Sequence, residues 1–325
     1  MTLPFTEAES MTEDYFMADK GSAYDIFFKS SFACNWFLKQ KNGLYKRYPG
    51  GTHIEVPLEY DEASGGTFTR TSALNSDDRN MIVNAKFLPK NYYGNATIYL
   101  TDEAANSGDM QKISLIKQRV AAAQKKIAKD MATDFWAAGG DTGETLTGVP
   151  SVCSETAGTP YGGIEEEDLL SSDGNYHWQG RTTTTAELIS IAVIRAMGST
   201  AKLQDGMDGK PDIFFLTEDL FNVLHNKLDI QQRYTEADET RKAGFTGLKI
   251  DKAMVVVDDF APSGYCFGAN SSCFGFATHS NFNFVRQPWV PLSPQAGKTM
   301  KQIWMGNMIS SNRKGQILHT GLTTS

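Results

Sequence analysis

From Ile113 to Phe135 apolar residues recur in steps of three and four, at Ile113, Ile116, Val120, Ala123, Ile127, Met131 and Phe135. That spacing holds one apolar side chain per turn on a single face and predicts an amphipathic helix. At ~1.5 Å per residue a helix of roughly 25 residues is about 37 Å long, more than most globular helices reach. Gly139-Gly140 would end it. Lys112, Lys117, Arg119, Lys125, Lys126 and Lys129 decorate it. Such charges read first as a solvated helix face, with contact to a polyanion as the functional alternative.

The stretch before this helix is different in kind. Residues 52 to 60 alternate, with Ile54, Val56, Leu58 and Tyr60 on one face and Pro57 marking an edge strand or bulge. Turn-rich Asp61-Glu-Ala-Ser-Gly-Gly66 follows, and residues 81–87 and 94–100 supply strands that could return alongside. Together they predict a long β-hairpin excursion. An isolated two-stranded excursion is marginally stable in water, so a projecting one needs support from another chain. The first 48 residues read as an arm, polar and acidic to Asp25, then Ile26-Phe-Phe-Lys-Ser-Ser-Phe-Ala-Cys-Asn-Trp-Phe-Leu38. Its aromatics must lie on something: a neighbouring subunit or this chain's own body, the plainest case being an amphipathic helix packed at home.

After the long helix, residues 141–180 are rich in Gly, Thr, Ser and acids. Glu165-Glu-Glu-Asp168 lacks the ligand spacing and central Gly of a calcium loop and reads as solvated loop or helix start. Thr184-Thr-Ala-Glu187 has the form of a capping box opening a helix over 188–197, closed by Gly198. Asp212-Ile-Phe-Phe-Leu216 and Ala253-Met-Val-Val-Val257 read as buried strands, with a Thr217-capped helix carrying Leu220, Leu224 and Leu228 between them. A small α/β unit is therefore expected over about 180–280. The stretch from Phe284 through Ile303-Trp-Met305 to His319 adds further strand.

The chain carries 31 Lys and Arg against 38 Asp and Glu in 325 residues, a net charge of −7, which argues against a protein whose main work is gripping nucleic-acid phosphates. No apolar run approaches the roughly 18–20 residues that span a bilayer, and the first residues lack a secretory pattern. A P-loop, a dinucleotide-binding glycine motif, a nucleophile elbow and a zinc-protease motif are all missing. His53, His177, His225, His279 and His319 are scattered and read as structural or surface residues. Asp258-Asp259 follows a strand, where an α/β enzyme could carry carboxylates, but Phe260-Ala-Pro-Ser-Gly264 makes them turn-forming acids, and neighbours on a strand end face opposite ways. Cys34, Cys153, Cys266 and Cys273 show no metal-binding spacing. The repeated Cys-Phe-Gly triplets of 264–275 suggest a hairpin turning at Ala269-Asn270, with Cys266 opposite Cys273 as free, half-buried thiols. No catalytic, cofactor-binding or metal residue is assigned.

Several segments in fixed order resemble the major capsid proteins of tailed bacteriophages, which have the Hong Kong 97 phage fold. They are Lys210-Pro-Asp-Ile-Phe-Phe-Leu-Thr217, Gly244-Phe-Thr-Gly-Leu-Lys-Ile250, Ala253-Met-Val-Val-Val-Asp-Asp259, Pro262-Ser-Gly-Tyr-Cys-Phe-Gly-Ala-Asn270 and Trp304-Met-Gly-Asn-Met-Ile-Ser-Ser-Asn-Arg-Lys-Gly-Gln316. None is a catalytic signature. The resemblance implies an α+β fold with an N-terminal arm (1–48), an extended β-hairpin loop (49–101) and a peripheral domain (102–180) holding the spine helix (113–138). An axial domain (181–270) and a return to the peripheral domain (271–325) complete it.

Function follows from the same resemblance: a non-enzymatic structural protein that self-assembles, as hexamers and pentamers, into an icosahedral virion shell around a DNA genome. It implies assembly in the host bacterial cytoplasm, non-specific contact with packaged double-stranded DNA, a portal protein, a decoration protein in some relatives, and no membrane or cofactor. Because the sequence starts at Met1 directly in the arm, without the helical extension some relatives use as a built-in scaffold, a separate scaffolding protein is expected. Lys86 and Lys90 fall on the extended loop and read as ordinary surface lysines, and the covalent cross-linking known in part of the family is not carried over. The alternatives are an encapsulin-like nanocompartment shell and, further off, an α/β enzyme with a site near Asp258 and Asp259.

Overall fold

The computed structural model describes residues 31–39, 44–74, 80–105, 109–156, 158–172, 174–202, 209–229 and 248–324. Most of the arm, and residues 244–247 of the segments quoted above, lie outside them. The first half contains helix α1 (Phe32–Lys39), strands β1 (Lys46–Tyr48), β2 (Ile54–Glu59), β3 (Ile82–Phe87) and β4 (Lys90–Tyr99), then helices α2 (Leu100–Ala105), α3 (Asp109–Phe135) and α4 (Val149–Cys153). Strands β5 (Thr182–Thr183) and β6 (Glu187–Leu188), helix α5 (Ile191–Thr200), strand β7 (Ile213–Leu216) and helix α6 (Glu218–Asp229) follow. The last quarter is strand apart from a 3-10 turn at Arg313–Gly315: β8 (Leu248–Ile250), β9 (Ala253–Val257), β10 (Cys266–Ala269), β11 (Phe274–His279), β12 (Val285–Arg286), β13 (Val290–Pro291), β14 (Gly297–Ser310), β15 (Ile317–His319) and β16 (Leu322–Thr323).

Helix α3 is the predicted long helix, running from Asp109 to Phe135. Its stripe of Ile116, Val120, Ala123, Ile127, Met131 and Phe135 is buried. Part of what it covers is a six-stranded sheet built on the 14-residue strand β14, with β4 along one side and β11, β12 and β13 along the other. Ala96, Ile98 and Met300 of that sheet pack with Ile116, Val120 and Ala123. Gly94 sits at the closest crossing, where a Cβ would lie 2.4 Å from the Ala123 carbonyl oxygen. Residues 94–100 therefore belong to the body, paired with β14, and the excursion is the β2–β3 pair alone.

The second sheet runs β5-β15-β10-β7-β9-β8. Strands β7 and β9 are parallel, as expected of an α/β unit. Their apolar runs are continuous because both faces are covered. Phe214, Leu216 and Val255 pack with Ile194, Met197, Leu220 and Leu224 of α5 and α6. Ile213, Phe215, Val256 and Phe267 face the core shared with α1, α3 and the first sheet. There Phe37 lies 5.0 Å from Phe274, 5.8 Å from Phe215 and 6.0 Å from Phe135. The described part of the arm thus packs at home, as a helix wedged where the two sheets meet.

Two sequence expectations fail for the same reason. Thr184-Thr-Ala-Glu187 opens no helix, because Thr182–Thr183 is taken by β15 and Glu187–Leu188 by β16. The helix starts instead after Ser190, whose hydroxyl accepts from Val193 N, and it continues through Gly198 to Thr200. Cys266 and Cys273 do not face each other: β10 lies between β7 and β15, so Cys266 stands opposite Leu216 and His319. Residues Asn270–Cys273 carry the chain across to the other sheet, held by Gln316 Oε1 on Asn270 N and by Asp212 on Ser271. All four cysteines are free, buried thiols, where half-burial was expected of Cys266 and Cys273.

Candidate assembly surfaces

The hairpin is anchored at its root. Ile54, Val56, Leu58, Ala85 and Phe87 form its inner face and are buried, with Phe87 edge-on to Tyr161 at 5.0 Å. Asn307 of β14 donates to the Leu88 carbonyl at 2.9 Å and fixes the exit into β4. Asp61 accepts from Ser172 Oγ at 2.7 Å, and from Ser172 N and Ser171 Oγ at 3.0 Å each. Those bonds favour the charged carboxylate and hold its pKa well below the usual range.

Beyond the root nothing among the described residues covers the apolar side chains. Phe68 is 69% exposed, Leu74 70% and Ile82 66%. A second apolar row crosses the open face of the first sheet, where register puts Tyr93, Ile303 and Val285 side by side. Tyr93 and Val285 are exposed. Groups of this size left in water mark an interaction surface more often than a solvent boundary.

The carboxylates of 258 and 259 do not converge. Asp259 is exposed, whereas Asp258 is buried and accepts from Ala33 N at 3.0 Å, Ser31 Oγ at 3.3 Å and Phe260 N at 2.9 Å. It holds the first turn of α1, where a negative charge meets free backbone N–H groups. Burial raises its pKa despite those bonds. His319 is buried, accepts from Gly321 N on Nδ1 and lies 2.8 Å from Glu187 Oε1 through Nε2, joining β15 to β6. Glu165 and Asp168 cap a single 3-10 turn. Among the described residues no group of His, Cys, Asp and Glu could hold a metal ion, and no helix is long and apolar enough to cross a membrane.

No family model and no curated protein matches the sequence. Solved structures do. A chain of the cyanophage A-1(L) capsid superposes with a TM-score of 0.64 at 15% identity, over 90% of this chain and 93% of that one. A capsid chain of a native GTA particle gives 0.58 at 11% identity, over 87% and 89%. This is the fold of bacteriophage capsid proteins. An encapsulin complex from Synechococcus elongatus shares it, with a TM-score of 0.52 at 5% identity over 89% of this chain and 88% of that one.

Two residues that support the capsid fold escaped sequence reading. Arg313, in what looks like a basic surface turn, is fully buried. Its guanidinium donates to the carbonyls of Val152 (2.9 Å), Trp178 (3.0 Å), Ser154 (2.8 Å) and Ser151 (3.2 Å), and it lies over the Tyr161 ring. Those acceptors include the C-terminal carbonyls of α4, the negative end of that helix. Lys90 is no surface lysine either. It is 3% exposed and its ammonium group donates to the carbonyls of Gly140, Asp141 and Gly143. Burial lowers its pKa. Lys86, by contrast, is exposed as expected.

Proposed function

We propose that this chain is the major capsid protein of a tailed bacteriophage and that its function is self-association, as hexamers and pentamers, into an icosahedral shell around a DNA genome. The observation that carries the reading is the pairing of a capsid fold over nine-tenths of the chain with a hairpin whose tip leaves Phe68 and Leu74 in water. In a monomer such a tip is an aggregation hazard, and in a shell it is a contact. The parts would be an arm, a hairpin loop, a peripheral domain around α3 and β14, and an axial domain around β7 and β9. Host-cytoplasmic assembly, a separate scaffolding protein, a portal, a decoration protein and loose contact with packaged DNA belong to the same proposal and rest on the fold alone.

Replacing Phe68 and Leu74 by Ser tests it. Soluble, folded subunits that no longer form particles are expected, and particles formed as readily as by the wild type would contradict the role given to the tip. The second reading, a nanocompartment shell, is favoured by the encapsulin match. Particle contents separate the two: nuclease-protected DNA supports the phage shell, and a stoichiometric protein cargo supports the compartment.

A further inference from the structure

The basic residues of α3 stand apart from the rest of the chain. Between 111 and 129 the sequence has six Lys or Arg and no acid, and between 130 and 180 it has ten acids and no Lys or Arg. In a chain of net charge −7 that is segregation, whereas a helix face that only needs to be wet mixes its signs.

The structure sharpens the contrast. From 119 to 133 the exposed residues of α3 are Arg119, Ala122, Lys125, Lys126, Lys129 and Thr133, on the side away from the buried stripe. Asp130 and Asp134, the acids of this half of the helix, are used within the chain. Asp130 pairs with Lys126 at 2.6 Å, and Asp134 accepts from the Tyr92 hydroxyl at 2.5 Å. Asp102 lies 4.0 Å from Arg119, at the limit of an ion pair. Among the described residues no carboxylate pairs with Lys125 or Lys129.

The other side of the same layer is different in kind. Strands β4 and β14 turn Ala96, Ile98 and Met300 to α3, so by strand alternation Asn91, Tyr93, Asn95 and Tyr99 face away from it. Among the described residues of β4, β12 and β14, Lys301 alone adds an exposed charge there. A shell has two faces, and only one of them meets its contents.

We infer that Arg119, Lys125, Lys126 and Lys129 form a phosphate-contact surface on the lumen side of the shell, and that its partner is packaged double-stranded DNA. This rests on the shell reading above and names the face that meets the genome. The charges are complementary: cations spread over ~15 Å of helix oppose a duplex carrying one phosphate per ~1.7 Å of its axis. Nothing else on this face can be buried. Its largest apolar side chain is the methyl of Ala122, so a scaffold helix or a second subunit would find no apolar anchor, whereas a phosphate backbone needs only charge. All but Arg119 are lysines, point charges on flexible stems that suit contact without a fixed register.

The salt dependence of DNA binding tests the inference. Purified full-length subunit is titrated onto a short random-sequence duplex at a series of salt concentrations. The triple variant Lys125→Gln, Lys126→Gln, Lys129→Gln should keep its melting temperature and lose about 2.7 from the slope of log affinity against log salt, 0.9 for each contact removed. Lys202, Lys210 and Lys249 are exposed on the α/β unit, and changing all three to Gln makes the same charge change but should leave the slope as it is. Equal loss in both triples, or loss in neither, would overturn the site. Position supplies the second readout. Lys125→Cys should couple to a polymer-bearing maleimide too large to enter the shell when subunits are free or particles broken, and be shielded in closed particles. The native thiols are buried and do not compete. Coupling in intact particles would put this face outside and overturn the inference while the shell reading stands. A Gln triple on α3 that keeps the wild-type slope but no longer assembles would assign the face to a neighbouring subunit or to the scaffold instead. Wild-type protein that never forms shells would remove the shell reading and this inference with it.

Discussion

Arg313 illustrates how much of this fold hangs on single side chains. Its four carbonyl acceptors come from 151–154 and 178, and all are buried with it or nearly so. Removing the donor leaves them without partners in a site water cannot easily reach, at about 1–3 kcal/mol for each group left unmade. Arg313→Ala should cost about 3–5 kcal/mol in chemical denaturation, and Arg313→Lys, which cannot fork to four acceptors, should recover only part of it. Two carboxylates titrate with opposite sign. The lowered pKa of Asp61 adds stability that is complete above the ordinary carboxylate value of about 4 and is lost as pH falls toward its folded value. The stability gap between wild type and Asp61→Asn should therefore shrink on acidification below pH ~4. Asp258, raised by burial, subtracts stability as pH rises above about 4 through its folded value. None of these roles was legible in sequence. Asn-Arg-Lys-Gly looks like any exposed basic turn, and Lys90 looks like a loop lysine, because their acceptors lie tens to hundreds of residues away.

At the scale of elements, legibility followed locality. Helix α3 could be read because its period is written in its own residues, and β7 and β9 because both faces are apolar. The 184–187 box and the Cys-Phe-Gly hairpin were misread because their decisive partners, β16, β15 and β7, are distant in sequence. Gly94 shows the same limit: its need for no side chain comes from α3 crossing it. Gly94→Ala should force helix and strand apart and destabilise by about 1–3 kcal/mol, measurable as a lower denaturation midpoint. The first turn of helix α1 is held by one side chain just after β9. Asp258→Ala removes the acceptor of Ala33 N, a loss of about 1 kcal/mol typical of a cap. Cys34, buried in that helix, should then react faster with a thiol reagent, and a Cys34→Ala background should abolish the gain. Unchanged reactivity would mean that the aromatic packing of Phe37 holds the wedge without Asp258.

For the whole molecule, the order of segments along the chain pointed to the architecture that the solved capsids share, while identity of 15% or less explains why no sequence comparison reaches them. What order could not show is which surfaces stay open once the chain has packed on itself. The hairpin root is anchored on its own body, so the demand for a partner narrows to the tip and to the exposed Tyr93 and Val285 of the first sheet. If those surfaces serve neighbouring copies, the protein must assemble. Electron microscopy of the purified protein, with and without a co-expressed scaffold, tests it most directly. Closed shells built of rings of five and six subunits are predicted, and a protein that stays monomeric under every assembly condition would contradict it.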